Sequence, residues 1–160
     1  MKKILLFPAM AGLFMLNVAS TCSSDDDNSS SSQNTTEVVN TVSQGTWRVT
    51  SFVEDGDDHT NYFSNFTFTF AGSNVLTAVN GTTTYTGAWS VTNDHSGNDD
   101  DDSGHHSSND VDFNIAFSAP NNFEELTEDW HILERTDTKI RLEHVSGGDG
   151  SIDTLTFEKN

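Results

Sequence analysis

The chain has 160 residues, and its 7 lysines and arginines against 25 aspartates and glutamates give a formal charge of −18. That length bounds it to about one domain beside whatever is cleaved or left extended, and so acidic a chain repels phosphate backbones, which argues against a nucleic-acid partner. A single cysteine excludes an internal disulfide framework and a cysteine-based zinc site, while 11 glycines and 2 prolines exclude a collagen-like or proline-rich fibre.

Residues 1–21 read as an export signal. Lys2 and Lys3 form a basic n-region, Ile4 to Met15 is apolar apart from the breaks at Pro8 and Gly12, and mostly small residues lead to Cys22. The apolar run is shorter than the roughly 20 residues that a spanning helix needs. Removing it takes away two of the seven cations and no acid, so −18 becomes −20. Ala19-Ser20-Thr21-Cys22 resembles the lipobox of bacterial lipoproteins, which implies that Cys22 becomes the acylated first residue. Ala19 and Thr21 depart from the commonest residues at their positions; ordinary cleavage near Ser20 is the alternative. Ser23-Ser24-Asp25-Asp26-Asp27 is similar to the acidic signal that sends lipoproteins of Bacteroidetes-type bacteria to the outer face of the outer membrane. Asn28 to Thr36 holds only Ser, Asn, Thr and Gln, so residues 22–41 are expected to be a flexible acidic and Ser-rich tether with a reach of about 25 Å.

From Val42 the pattern changes to period two, the signature of half-buried strands. Trp47, Val49 and Val53 are assigned to one face; Phe66, Phe68 and Phe70 alternate with threonines; Val75, Thr77 and Val79 form the next run. Tyr85, Gly87, Trp89 and Val91 follow, then Val111, Phe113, Ile115 and Phe117, then Trp130 and Ile132, Ile140 and Leu142, and Leu155 and Phe157. Strands are predicted over 46–54, 65–71, 74–79, 82–92, 110–117, 129–136, 138–144 and 151–158. Gly72-Ser73-Asn74, Asn80-Gly81 and Thr136-Asp137-Thr138 carry hairpin chemistry, and Gly147 to Gly150 joins the last two strands. The link 55–64 has room for a turn of helix, and Phe123-Glu124-Glu125-Leu126 after Pro120 predicts a short one. Eight successive antiparallel strands form an up-and-down meander, and closing it into a barrel removes both unpaired edges. A β-sandwich is the alternative.

Gly45-Thr46-Trp47, ahead of these strands, resembles the Gly-x-Trp opening of lipocalins and of the lipocalin-like domains of bacterial lipoproteins, as do Gly87-Ala88-Trp89 and Asp129-Trp130-His131-Ile132. The resemblance covers residues 42–160. It implies a barrel whose Trp47 plugs one end and whose interior offers a pocket for a small apolar ligand, lined by Trp47, Phe66, Phe68, Phe70, Tyr85, Trp89, Phe113, Phe117 and Trp130. The same residues would equally serve as plain filling, because an eight-stranded barrel is just wide enough for side chains to pack inside it.

Two further segments offer chemistry. Residues 93–110 hold six aspartates and three histidines. From Asp99 the spacing Asp99, Asp101, Ser103 and Asp110, with Gly104 at the turn position, matches a calcium loop that lacks flanking helices and ends in Asp rather than Glu; a solvated low-complexity loop is the alternative. Glu124, Glu125, Glu128 and Asp129 crowd the short helix, where solvation explains them. His144, in phase with Ile140 and Leu142, faces a barrel mouth as a hydrogen-bonded structural group, and His131, out of phase, faces solvent. No nucleophile elbow or His-Glu-x-x-His pair is present. The expectation is therefore an outer-membrane surface lipoprotein with no catalysis and no obligatory cofactor. It is expected either to bind a small apolar ligand in the barrel or, with a filled barrel and no ligand pocket, to serve as a structural or interaction module, an accessory protein of an uptake or adhesion system.

Overall fold

Turn chemistry at short intervals makes each strand fold back on its predecessor, and the computed structural model, which describes residues 29–93, 111–148 and 150–160, follows that rule along the chain. Helix α1 (Ser29–Val42) leads into β1 (Trp47–Glu54), a two-residue β2 (Asp57–Asp58) and a 3-10 turn (Thr60–Phe63). Then come β3 (Thr67–Phe70), β4 (Val75–Asn80), β5 (Thr83–Asn93), β6 (Val111–Ala116), α2 (Asn121–Glu124), β7 (Glu128–Arg135), β8 (Lys139–Val145) and β9 (Ile152–Lys159). Neighbours pair antiparallel from β3 through β9, and β1 closes the ring on β9 along its length and on β3 at Trp47↔Phe68. The outcome is a closed eight-stranded up-and-down β-barrel, with β2 an extra strand folded back on β1.

The hairpins show why those turn residues are needed. The β4–β5 loop is held by the pair Asn80↔Thr83, and Gly81 takes φ 57°, which glycine reaches without strain. In the β3–β4 turn Asn74 takes φ 64°, its side-chain amide donates to the Trp89 carbonyl at 3.1 Å, and the Trp89 indole donates to the Ala71 carbonyl at 2.9 Å.

Two strands differ in phase from the sequence reading. In β1 the pairing jumps from Val49↔Phe157 to Ser51↔Thr156, so Thr50 is a bulge residue. One extra residue inverts every later side chain; Phe52, not Val53, is therefore fully buried. In β4 Leu76 and Ala78 face the core, whereas Val75 and Val79 are exposed. Alternation of two β-branched residues cannot by itself say which side is inside; the register Phe68↔Ala78 and Phe70↔Leu76 decides it.

The barrel has two different ends. At the base, Trp47 stands opposite Lys159, and β5 and β6 meet at Asn93↔Val111. At the rim, β1 ends at Glu54, near Asp153 of β9 and the α2 segment. Helix α1 packs against β5 and β6 with Val38 and Val42 buried. Arg135 of β7 ties it down, donating to Glu37 at 2.8 Å and to Thr41 at 3.2 Å. The Trp47 indole donates to the Val42 carbonyl at 2.9 Å, and the Lys159 ammonium lies 5.1 Å above the Trp47 ring. The stretch 22–41, expected to be a tether, is thus helical from Ser29 and joins the folded unit. Its Ser- and Asn-rich composition hides this, since the helix owes its stability to three valines (38, 39 and 42) docked on the barrel rather than to propensity.

Candidate functional site

Inward-facing aromatic residues on consecutive strands must meet, because eight strands leave no room for them to stay apart. Phe70 touches Trp89, Phe113 and Phe157 edge-on with ring centres 5.4, 5.5 and 5.4 Å apart. Trp89 stacks on Phe113 at 5.9 Å. Toward the rim, α2 inserts Phe123 among Phe63, Phe66, Tyr85 and Phe117, with ring centres 4.8–5.2 Å away. Phe68 lies between Phe63, Phe123 and Phe157, and Trp130 meets Phe52 at 6.5 Å.

Of the nine residues proposed to line a pocket, Trp47, Phe68, Phe70, Trp89, Phe113, Phe117 and Trp130 are buried, while Phe66 and Tyr85 are half-buried and stack on each other at 5.6 Å. All nine belong to, or pack against, one hydrophobic cluster. What the sequence reading lacked were the residues that fill the space between them: Phe52, hidden by the bulge, and Phe63 and Phe123, carried by connecting segments outside the alternating pattern. A shallow depression of about 290 Å³ lies outside this core, on the outer side of β5 and β6 beside Ala88, Ser90, Asn114 and Ala116. Trp89 is its one member from the proposed pocket.

The polar groups collect at the rim. Glu54, His59 and Glu125 come from the end of β1, the link after β2 and the residue following α2, and one ligand atom from each lies within 4.8 Å of the others. Burial, then the carboxylates of Glu125 and Asp153, pushes the Glu54 carboxyl above its ordinary range, with His59 partly opposing them. Asp153 is itself buried and accepts the Asp55 backbone N–H at 3.0 Å. Asp58 is held below the usual carboxylate range by hydrogen bonds from the Thr60 side chain and backbone, the latter at 2.9 Å. Spacing offered no signal for Glu54, His59 and Asp153, and Glu125, read as solvated, is half-buried.

A second group, Glu128, Asp129 and His144, sits where β7 meets β8. The His144 ring lies edge-on to Trp130, with Nδ1 at 3.3 Å from the Asp129 carbonyl and Nε2 at 3.5 Å from the Glu128 carboxylate, the hydrogen-bonded mouth position expected for it. His131 faces outward and pairs with Asp112 at 3.2 Å. The segment 1–21 read as a leader, Cys22 expected as the lipid-attachment residue, and Asp99, Asp101, Ser103 and Asp110, expected as calcium ligands, lie outside the described residues. Among the described residues no helix is long and apolar enough to cross a membrane. Comparison with models of known protein families and with curated proteins finds no match for the chain.

Proposed function

We propose that this chain is a lipoprotein of the outer-membrane surface, anchored through Cys22, whose lipocalin-like barrel is a filled scaffold that acts through its exterior as a structural or interaction module. The observation that carries the scaffold reading is the occupancy of the interior by its own rings, with Phe123 wedged among Phe63, Phe66, Tyr85 and Phe117 under the rim and α1 docked over the base. A small apolar ligand would have to displace Phe123, which is fully buried, and would lose the edge-to-face contacts that ring makes. The anchor rests on the position of the chain's one cysteine directly after an export-type leader.

Two measurements test these halves separately. Titrating an environment-sensitive apolar fluorophore into the protein should produce no saturable signal; saturation at low micromolar concentration, reversed by a fatty acid, would restore the ligand-pocket reading. Cys22→Ala should move the protein from the membrane fraction to the soluble fraction, and retention of the variant in membranes would refute lipid anchoring.

A further inference from the structure

Three segments remote in sequence deliver Glu54, His59 and Glu125 to one point of the rim. Glu54 ends β1, and the neighbouring turn is tied to the buried Asp153 carboxylate through the Asp55 N–H. The His59 backbone N–H donates to the Phe52 carbonyl at 2.9 Å, and its ring leans on Phe52 and Tyr62, with centres 6.2 and 5.2 Å away. Glu125 stands between Phe123 and Leu126, both fully buried, so its backbone is fixed from either side. Its Oε2 atom is screened from solvent and accepts no hydrogen bond. A shielded carboxylate oxygen without a donor is costly to keep, and a cation supplies the missing partner.

We propose that Glu54, His59 and Glu125 form a binding site for a divalent first-row transition metal, with zinc as the representative ion. Two carboxylates and one imidazole are a donor set that zinc accepts, whereas magnesium and calcium favour oxygen ligands throughout. Zinc–ligand bonds of about 2.0–2.2 Å hold donors roughly 3–4 Å apart, so donors now within 4.8 Å of one another close on the ion by side-chain adjustment alone. Three protein ligands leave a coordination position for water or an anionic group. The Glu128–Asp129–His144 group is the weaker candidate, because the Asp129 side chain is 72% exposed and both His144 nitrogens already face protein oxygens.

The test uses the full chain with His95, His105 and His106 replaced by alanine, which removes the competing histidines of the 93–110 segment. Zinc chloride alone is titrated by calorimetry and its effect on thermal unfolding followed. The expected result is one zinc per chain, with affinity falling at least tenfold in Glu125→Gln and in His59→Gln and unchanged in His144→Gln. Glu125→Gln adds a readout that a merely structural role would not move. With chelator it melts at or above the parent, because one of two opposed carboxylates is gone. With 0.1 mM zinc (about 100 times a micromolar Kd) it melts below the parent. Circular dichroism confirms folding before each titration. Loss of zinc binding in the triple-histidine background, equal affinity in Glu125→Gln and the parent, or a Glu125→Gln deficit of the same size with and without zinc would each overturn the assignment.

Discussion

Gly87 gives the sharpest test of how the barrel is packed. It occupies an inward-facing position of β5, in phase with Tyr85 and Trp89, where a side chain would ordinarily be welcome. A Cβ built there would lie 2.5 Å from the Ala116 carbonyl oxygen and 2.8 and 2.9 Å from two carbons of the Phe117 ring. The carbonyl cannot retreat freely, because Ala116 pairs with Ala88 next door. The chain just beyond is pinned at Phe117, whose N–H donates to the Thr127 hydroxyl at 2.9 Å and whose carbonyl accepts from it at 3.0 Å. Overpacking of this kind costs about 1–3 kcal/mol, and a rigid backbone contact puts Gly87→Ala at the upper end. For a domain of this size that is a fall in Tm of roughly 8–15 °C. Gly72→Ala is the control, since nothing lies within 4 Å of its Cβ position, and it should change stability by less than about 0.5 kcal/mol. Thermal and urea unfolding of the two variants side by side would decide the matter. In the Gly87→Ala background, Phe117→Leu should cost less than it does in wild type, because it relieves the ring contact. A Gly87→Ala protein melting within about 2 °C of wild type would refute the reasoning, since the β5–β6 wall would then have to yield where the register says it cannot.

Two further outcomes follow from the rim. Phe123→Ala removes the ring shared by Phe63, Phe66, Phe68, Tyr85 and Phe117 and should cost about 3–5 kcal/mol in urea unfolding. It should also strengthen the binding of apolar fluorophores by opening the interior; a loss below about 1 kcal/mol would mean that the interior is not filled by this ring. Glu54, whose carboxyl is raised above 4.5 in the fold, holds its proton more tightly folded than unfolded, so its contribution to stability declines as pH climbs from 4.5 through the raised value. Glu54→Gln, studied with chelator present, should therefore match wild type in Tm near pH 4.5 and exceed it at pH 7; a difference that stays flat across this range would show that the carboxyl is not perturbed.

Much of the fold was legible because its signals are local. Period-two alternation marked each of the eight barrel strands to within two residues at either end, and Asn80-Gly81 marked a hairpin whose backbone requires a left-handed residue. The aromatic interior was legible for the same reason: Phe68, Phe70, Trp89, Phe113 and Trp130 sit in phase on their strands, Phe117 follows one residue past β6, and all six are buried. Phase was lost wherever one residue broke the count. The Thr50 bulge exchanged Val53 for Phe52, and in β4 pairing with β3 chose Leu76 and Ala78 over their valine neighbours.

What the sequence by itself determined is an all-β meander and the strong negative charge; each is a property of neighbours in the chain or of composition. Only the tertiary structure decided that a polar stretch becomes a helix against the base, where docking of Val38 and Val42 on the barrel outweighs a composition poor in helix formers. It alone decided that Phe63 and Phe123 finish filling the interior, and that Glu54, His59 and Glu125 meet at the rim. Those residues lie up to 71 positions apart in the chain, and no local period can join them, because it is closure of the sheet that folds their segments over the same opening.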